Sequence, residues 1–459
     1  METLGVAEDQ SIGKIVPIYP LTEGLYQKTM RKIVRNAWDA YNHHIQPIFP
    51  EDFAEKYRLN DPWSCLQEIH FPSSDLDPEL LTIGRSAAHR TLIFDEFFFV
   101  ELGLALRRKY VAAKKGISFP SNDSILNKFL KALPFELTNA QKRVVKEIFD
   151  DMKQPSPMNR LLHGDVGSGK TVVALAAVLN AISAGFQTTI MAPTEILAEQ
   201  HFATISKLSE SLGITHCLLT SSTKSAEKNI CYEAMASGKI HLAVGTHALI
   251  QEGVSFKKLG LIVVDEQHRF GVMQRAALRD KAATNDVSPD VLIMTATPIP
   301  RTLAMNLYGD LDVSVIDEMP KGRLPVMTKL YEEHNRSKLY EGMKHELKNG
   351  RQVYVVYPLI EESEKIDLKN ATDMSKELSR IFEPEFKVAL LHGRMSGTDK
   401  EKIMNEFKEG KINILAATSV VEVGVDVPNA SVMVVEHAER FGLAQLHQLR
   451  GRVGRSVYQ

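Results

Sequence analysis

The chain has little cysteine: Cys65, Cys217 and Cys231 are the three in 459 residues. They show no CxxC metal spacing and are too few for a disulfide framework, so no metal site rests on them and a reducing compartment is expected. Long apolar runs are missing too. No stretch of about 18 uninterrupted apolar residues occurs, which argues against a membrane-spanning helix. The amino terminus METLGVAEDQ lacks an apolar core and does not read as a signal peptide. A cytoplasmic protein is therefore expected. An excess of one charge is also lacking: 55 Lys+Arg against 57 Asp+Glu leave a formal net charge of −2. Whole-chain electrostatics thus announce no polyanionic partner, and any such partner must be read from motifs. Neither a short-period repeat nor a low-complexity segment is present.

What is present is ordinary globular composition, 44% hydrophobic and 24% charged, at a length that suggests two or three domains. Residues 1 to about 13 read as a tail. From Ile15 to Ile48 the pattern starts extended, where Pro17 and Pro20 fit, and then turns helical. Beyond a Pro- and Asp-rich linker at 71–78, RSAAHRTLIFDEFFFVELGLALRRKYVAAKK predicts one long amphipathic helix, strongly apolar on one side. Five basic residues between Arg107 and Lys115 read most simply as its solvated end. From Leu133 short β-rich runs alternate with helical segments, the pattern of parallel sheets with crossover helices. Candidate strands are RLLHG, QTTIMA (187–192), THCLLT (215–220), HLAVG (241–245), LGLIVVD (259–265) and DVLIMTA (290–296). After MPKGRLPV come VMTKLY (326–331), QVYVVYP (352–358), FKVALLHG (386–393), INILAAT (412–418) and SVMVVEHA (431–438). An α/β chain is expected, with a mainly helical segment at 1–130 and two parallel-sheet lobes at 131–320 and 321–459.

The first lobe carries RLLHGDVGSGKTVVALAAV (160–178), where an apolar run stops at Gly164 and a helical pattern resumes at Lys170. This is GxxxxGK[ST] between a strand and a helix. Gly164, Gly167 and Gly169 let the loop through Asp165, Val166 and Ser168 bend so that backbone N–H groups cradle phosphate oxygens at a helix N-terminus. Lys170 would reach the β and γ phosphates of ATP, and the Thr171 hydroxyl would take Mg²⁺. LGLIVV then ends in Asp265-Glu266-Gln267-His268, two carboxylates at the carboxyl end of a parallel strand. Asp265 suits a Mg²⁺ ligand through water, and Glu266 suits the base that orients and deprotonates the attacking water. Gln267 and His268, with Thr295 and Thr297 of MTATPIPRT, are candidates to relay nucleotide state.

Phe135 and Gln141 of PFELTNAQ offer an aromatic face and an amide that can hold an adenine, although a plain surface glutamine remains the alternative. The loops APTEILAEQH, with Pro193, Thr194 and Glu195, and GTHALI, with Gly245, Thr246 and His247, suit hydrogen bonding to a nucleic-acid backbone. In the second lobe QLHQLRGRVGR contains QxxGRxxR at Gln448, Gly451, Arg452 and Arg455. Its guanidinium groups suit an arginine finger on the γ-phosphate; four arginines between 440 and 455 otherwise read as a solvated basic face.

In this order the motifs resemble superfamily 2 helicases, whose two RecA-like lobes close on ATP. GDVGSGKT, MAPTEILAEQH, DEQHRFGVMQR, MTATPIPRTLAM, LLHGRM, VEVGVDVPNA and GLAQLHQLRGRVGR are similar to RecG, the bacterial branched-DNA translocases, from about Ile15 to the last residue. DEQHRFGV with GLAQLHQLRGRVGR separates the chain from DEAD-type RNA helicases. The resemblance implies ATP-driven translocation on double-stranded DNA at stalled forks and Holliday junctions, by a monomer at the bacterial nucleoid. It also places Gly424 and Asp426 at the nucleotide, and Arg394 and Thr418 at DNA. One departure is Ser221, where the family usually has glycine in the turn after 215–220; looser phosphate contact would follow. The family's wedge before Ile15 and its hairpin and hook after Arg455 are expected to be absent, leaving ATP hydrolysis without fork regression. Rival readings are a transcription-repair coupling translocase, which VPIYPLTEG disfavours, and a nucleotide-gated DNA clamp, which intact Lys170, Glu266 and Arg455 disfavour.

Overall fold

The computed structural model describes residues 15–251, 253–265, 287–296, 311–320, 326–358, 364–418, 427 and 429–454. Contacts divide the chain into two units, Met1–Leu106 and Arg107–Gln459. The first is helical, with α1 Gln27–Tyr41, α2 Glu51–Tyr57, α3 Pro62–His70, α4 Pro78–Thr82 and most of α5 Ala87–Ala112. Asp61 and Asp77 cap α3 and α4, each followed by the proline that suits a first helical position. Ahead of α1 the segment with Pro17 and Pro20 has no regular secondary structure. Gln27 clamps it by accepting from Tyr19 N–H (3.1 Å) and donating to Tyr19 C=O (2.7 Å). Phe94 and Phe98 of α5 join an aromatic cluster with Phe49, Phe53 and Tyr57. The one-sided helix expected here is not found: Phe97, Phe99 and Val100 are 61%, 51% and 53% exposed while Phe98 packs inward. Four consecutive apolar residues, each turned about 100° from the last, cannot share one helix face.

In the second unit, α6 Asp123–Ala132 and α7 Asn139–Met152 lead into a seven-stranded parallel sheet. Its strands are β1 Asn159–Gly164, β2 Gln187–Met191, β3 His216–Leu219, β4 Leu242–Gly245, β5 Leu259–Asp265, β6 Asp290–Thr295 and β7 Asp312–Ile316, in the order β3-β4-β2-β5-β6-β1-β7. Helices α8 Lys170–Ser183, α9 Glu195–Leu212 and α10 Ser225–Ser237 connect strands. Alternate residues feed two separate cores. Leu162, Ile190, Val244 and Val263 enter one; Leu161, Met191, Ala243 and Ile262 enter the other. Burial on both faces is why these strands read as continuous apolar runs.

A second parallel sheet, β8 Gln352–Val356, β9 Val388–Leu391, β10 Ile414–Ala417 and β11 Ala430–Val435, has the order β11-β8-β10-β9. Its helices are α11 Arg336–Lys348, α12 Glu364–Phe382, α13 Gly397–Lys408 and α14 Leu443–Arg450. Two strand expectations need correction. VMTKLY forms no strand, and its Met327 and Leu330 are 69% and 89% exposed; β-favouring residues without a neighbouring strand or buried face have nothing to hold them extended. DVSVI, not singled out because it is short and polar at alternate positions, forms edge strand β7 beside β1, with Leu161 opposite Val313. Among the described residues no helix is long and apolar enough to cross a membrane.

Candidate functional site

β1 ends at Gly164, and Ser168 N–H closes the loop onto Asp165 O at 3.1 Å before α8 begins at Lys170. Gly169 caps α8 with φ +88°, a left-handed conformation that costs a residue with a Cβ about 1–2 kcal/mol. A Cβ there would also lie 2.2 Å from Gln141 Nε2. Only glycine meets both constraints. α8 begins directly after the loop, and the N-terminal end of a helix favours an anion. Lys170 Nζ folds over the loop, donating to Gly164 O (2.7 Å) and Asp165 O (2.9 Å). Val166 and Ser168 are buried, whereas Asp165 and Thr171 are partly exposed and Gly167 is exposed.

Thr138 caps α7 in a capping box whose other half is Gln141. Gln141 Oε1 accepts from Thr138 N–H (2.9 Å), its Nε2 donates to Ser168 O (2.8 Å), and the residue is 1% exposed. The amide therefore ties the start of α7 to the phosphate loop. Phe135 is 48% exposed.

Registers place Asp265 opposite Met294, and Thr295 opposite His163 of β1. Asp265, Thr295 and Gly164 thus end three adjacent strands, at the edge where open α/β sheets bind ligands. Asp265 Oδ2 bonds His201 Nε2 of α9 at 2.8 Å.

The second sheet's α14 reaches the same loop. His447 Nε2 bonds Asp165 Oδ1 at 2.8 Å. Arg450 Nη2 lies 3.0 Å from His447 Nδ1; a guanidinium only donates, so Nδ1 accepts and Nε2 carries the hydrogen offered to Asp165. Gly451 follows α14 so close to Val166 that a Cβ on it would be 2.5 Å from Val166 Cβ. Arg452 is buried and Gln448 partly buried beside this contact.

The backbone-binding candidates cluster at neighbouring strand ends. Ala192 N–H bonds Gly245 O at 2.9 Å, which joins the loop of Pro193 to Glu195 to that of Gly245 to His247. Thr194 Oγ1 accepts from Leu197 N–H (3.4 Å), and Glu195 Oε1 from Ser222 N–H (3.1 Å) in the turn after β3. Thr246 is buried and His247 exposed. In the second sheet Arg394 is exposed after β9, and Thr418 is buried with its N–H on Leu391 O at 3.2 Å. Burial, and after it Lys400 and Arg394, holds His392 below the ordinary histidine pKa. Glu266, Gln267, His268, Thr297, Gly424, Asp426 and Arg455 lie outside the described residues. Motif spacing did not single out His201 or His447, although both sit inside quoted strings; a partner on a distant element leaves no spacing signal.

Residues 138–305 match the DEAD/DEAH box helicase family and residues 335–457 the helicase conserved C-terminal domain. Together with the two parallel sheets and a glycine-rich loop met by α14, these matches define a two-lobed helicase motor. Residues 3–40 match the RecG wedge domain, which corrects the expectation that sequence of the family's wedge is absent from the chain. The chain is 49% identical over 450 residues to the ATP-dependent DNA helicase RecG of Synechocystis sp., covering 98% of this chain and 53% of that protein. It is 47% identical over 457 residues to that of Aquifex aeolicus, covering 97% and 57%. A structure of RecG bound to a three-way DNA junction aligns with a TM-score of 0.77 and 43% identity, over 98% of this chain and 58% of that one. The DEAD-box helicase Mss116 bound to ssRNA shares the fold, with a TM-score of 0.55 and 17% identity over 72% of this chain and 71% of that one. The chain belongs to the RecG-type ATP-dependent DNA helicases, and it spans 53%, 57% and 58% of the length of these three RecG proteins.

Proposed function

We propose that this chain is the motor of an ATP-driven translocase that moves on double-stranded DNA and acts at branched junctions such as stalled forks and Holliday junctions. The observation that carries this reading is the meeting of α14 with the phosphate loop, through His447 and Asp165 at 2.8 Å and Gly451 against Val166. Hydrolysis between lobes needs groups from both sides on one phosphate chain.

Lys170 now holds two loop carbonyls; phosphate oxygens would compete for the same ammonium and draw it onto the nucleotide. Thr171 and Asp265 supply one hydroxyl and one carboxylate, hard oxygen donors of the kind Mg²⁺ takes beside substrate phosphates and water. The ion, when bound, neutralises charge on the transferring phosphoryl group. Glu266 orients and deprotonates the attacking water, while Gln448, Arg452 and Arg455 stabilise the γ-phosphate from the second lobe. Gly424 and Asp426 line the nucleotide, and Phe135 packs at the adenine end. Gln267, His268, Thr295 and Thr297 relay nucleotide state. The loops at Pro193 to Glu195 and Gly245 to His247, with Arg394 and Thr418, hold the DNA backbone. Backbone contacts carry no base readout, which suits an enzyme that must pass over any sequence. The working unit is a monomer in the cytoplasm.

The test is steady-state ATP turnover without DNA, with linear duplex and with forked duplex, beside a gel assay of fork conversion. Turnover should require Mg²⁺, rise with forked DNA and lose that rise at high salt. Turnover indifferent to DNA would refute the reading.

A further inference from the structure

We infer that His201 is a positioning residue that joins the DNA-facing start of α9 to the carboxylate at the end of β5, so that DNA contact is felt at Asp265. The inference rests on the motor reading above. His201 and Asp265 are 8% and 9% exposed and meet at 2.8 Å. An ionised carboxylate only accepts, so Nε2 is the donor, and with little water to compete the bond fixes the direction of Oδ2. Partners behind a metal ligand orient it in this way.

The other end of the path is equally well tied. Thr194 caps α9, Glu195 holds the turn after β3 through Ser222, and Ala192 holds the loop after β4 through Gly245. A backbone lying across these loops therefore pushes on the start of a single helix that carries His201 six residues beyond Glu195. Helices move as stiff units, so a shift at the loops arrives at His201 as a shift of similar size. β2 and β5 are neighbours, with Met191 opposite Val264, which keeps the path to Asp265 short. This route bypasses Gln267, His268, Thr295 and Thr297.

The test compares the full chain with His201→Gln, which keeps an amide donor near the Nε2 position, and His201→Leu, which keeps bulk without a donor. The first readout is the Mg²⁺ concentration for half-maximal binding of a fluorescent, non-hydrolysable ATP analogue. The second is the ratio of ATP turnover with and without forked DNA. His201→Leu should raise the half-saturating Mg²⁺ about tenfold, the low end of the effect of losing a partner behind a metal ligand, and should lower the DNA stimulation ratio. His201→Gln should stay close to the parent on both. Should His201→Leu not fold, His201→Asn, whose amide is too short to reach, replaces it with the same expected outcome. Parental behaviour of the leucine variant overturns the inference. So does a glutamine variant as impaired as leucine, which would assign the histidine to packing. A shifted Mg²⁺ dependence with DNA stimulation intact overturns the link to α9. Absence of turnover in the parent sinks the motor reading instead, and the Mg²⁺ titration still decides His201.

Discussion

Gly451→Ala isolates the contact between the lobes from the stability of either one. Gly451 has φ −68° and ψ −8°, helical values that alanine adopts without strain, so the substitution should leave stability unchanged or raise it by about 0.4–1 kcal/mol. The obstacle is across the cleft. The new methyl would stand 2.5 Å from Val166 Cβ and 2.9 and 3.1 Å from its two Cγ atoms, whereas carbon atoms rest at about 3.5–4.0 Å. Relief requires the phosphate loop and α14 to separate by roughly 1 Å, and a misplacement of that size can cost about 10²-fold in rate. We therefore expect ATP turnover at saturating forked DNA to fall about 100-fold, near 2.7 kcal/mol in barrier, with the melting temperature not lowered. Adding Val166→Gly removes the opposing atoms and should recover part of the rate, giving a positive coupling in a double-mutant cycle. Parental turnover in Gly451→Ala would refute the reasoning, as would a loss of rate matched by a loss of thermal stability.

Lys170→Ala should weaken ATP binding and lower kcat/KM by about 10²–10³-fold, the scale for losing one preorganised donor, measured by equilibrium nucleotide binding and steady-state turnover. Glu266→Gln should keep nucleotide affinity and slow hydrolysis by about 10²-fold or more; single-turnover kinetics at the parental rate would remove Glu266 as the base. Arg455→Ala should lose about 10³-fold or more in hydrolysis with little change in affinity; a parallel fall in both would make it a ground-state ligand. Gln141→Ala leaves the buried Ser168 carbonyl without its 2.8 Å donor, so the unfolding free energy should drop by about 1–3 kcal/mol in a denaturant titration, and an unchanged midpoint would contradict the role given to that amide.

The phosphate loop was readable from residue type because its backbone demands are local. Gly167 and Gly169 take positive φ, and Lys170 opens a helix; these requirements act within a few residues and leave their mark in spacing. The same holds for the apolar strands buried on both faces. Gln141 shows the limit. It was expected just before the first helix of the lobe but lies within the first turn of α7, and its bond to Ser168 depends on how α7 packs against the loop. Strand identity failed at the edges for a related reason: 326–331 has β-favouring residues and no strand beside it, while 312–316, polar at alternate positions, is held extended by its pairing with β1.

Strand order is nowhere written in a local pattern, yet it brings Gly164, Asp265 and Thr295 to one edge. Packing likewise joins His201 to Asp265 across 64 residues and His447 to Asp165 across 282. Residue type states what a position needs of its own backbone and whether its side chain seeks burial. Which distant group meets that side chain is settled by the mutual packing of whole helices and sheets, where the free energy belongs to the ensemble of contacts and to no single stretch of chain.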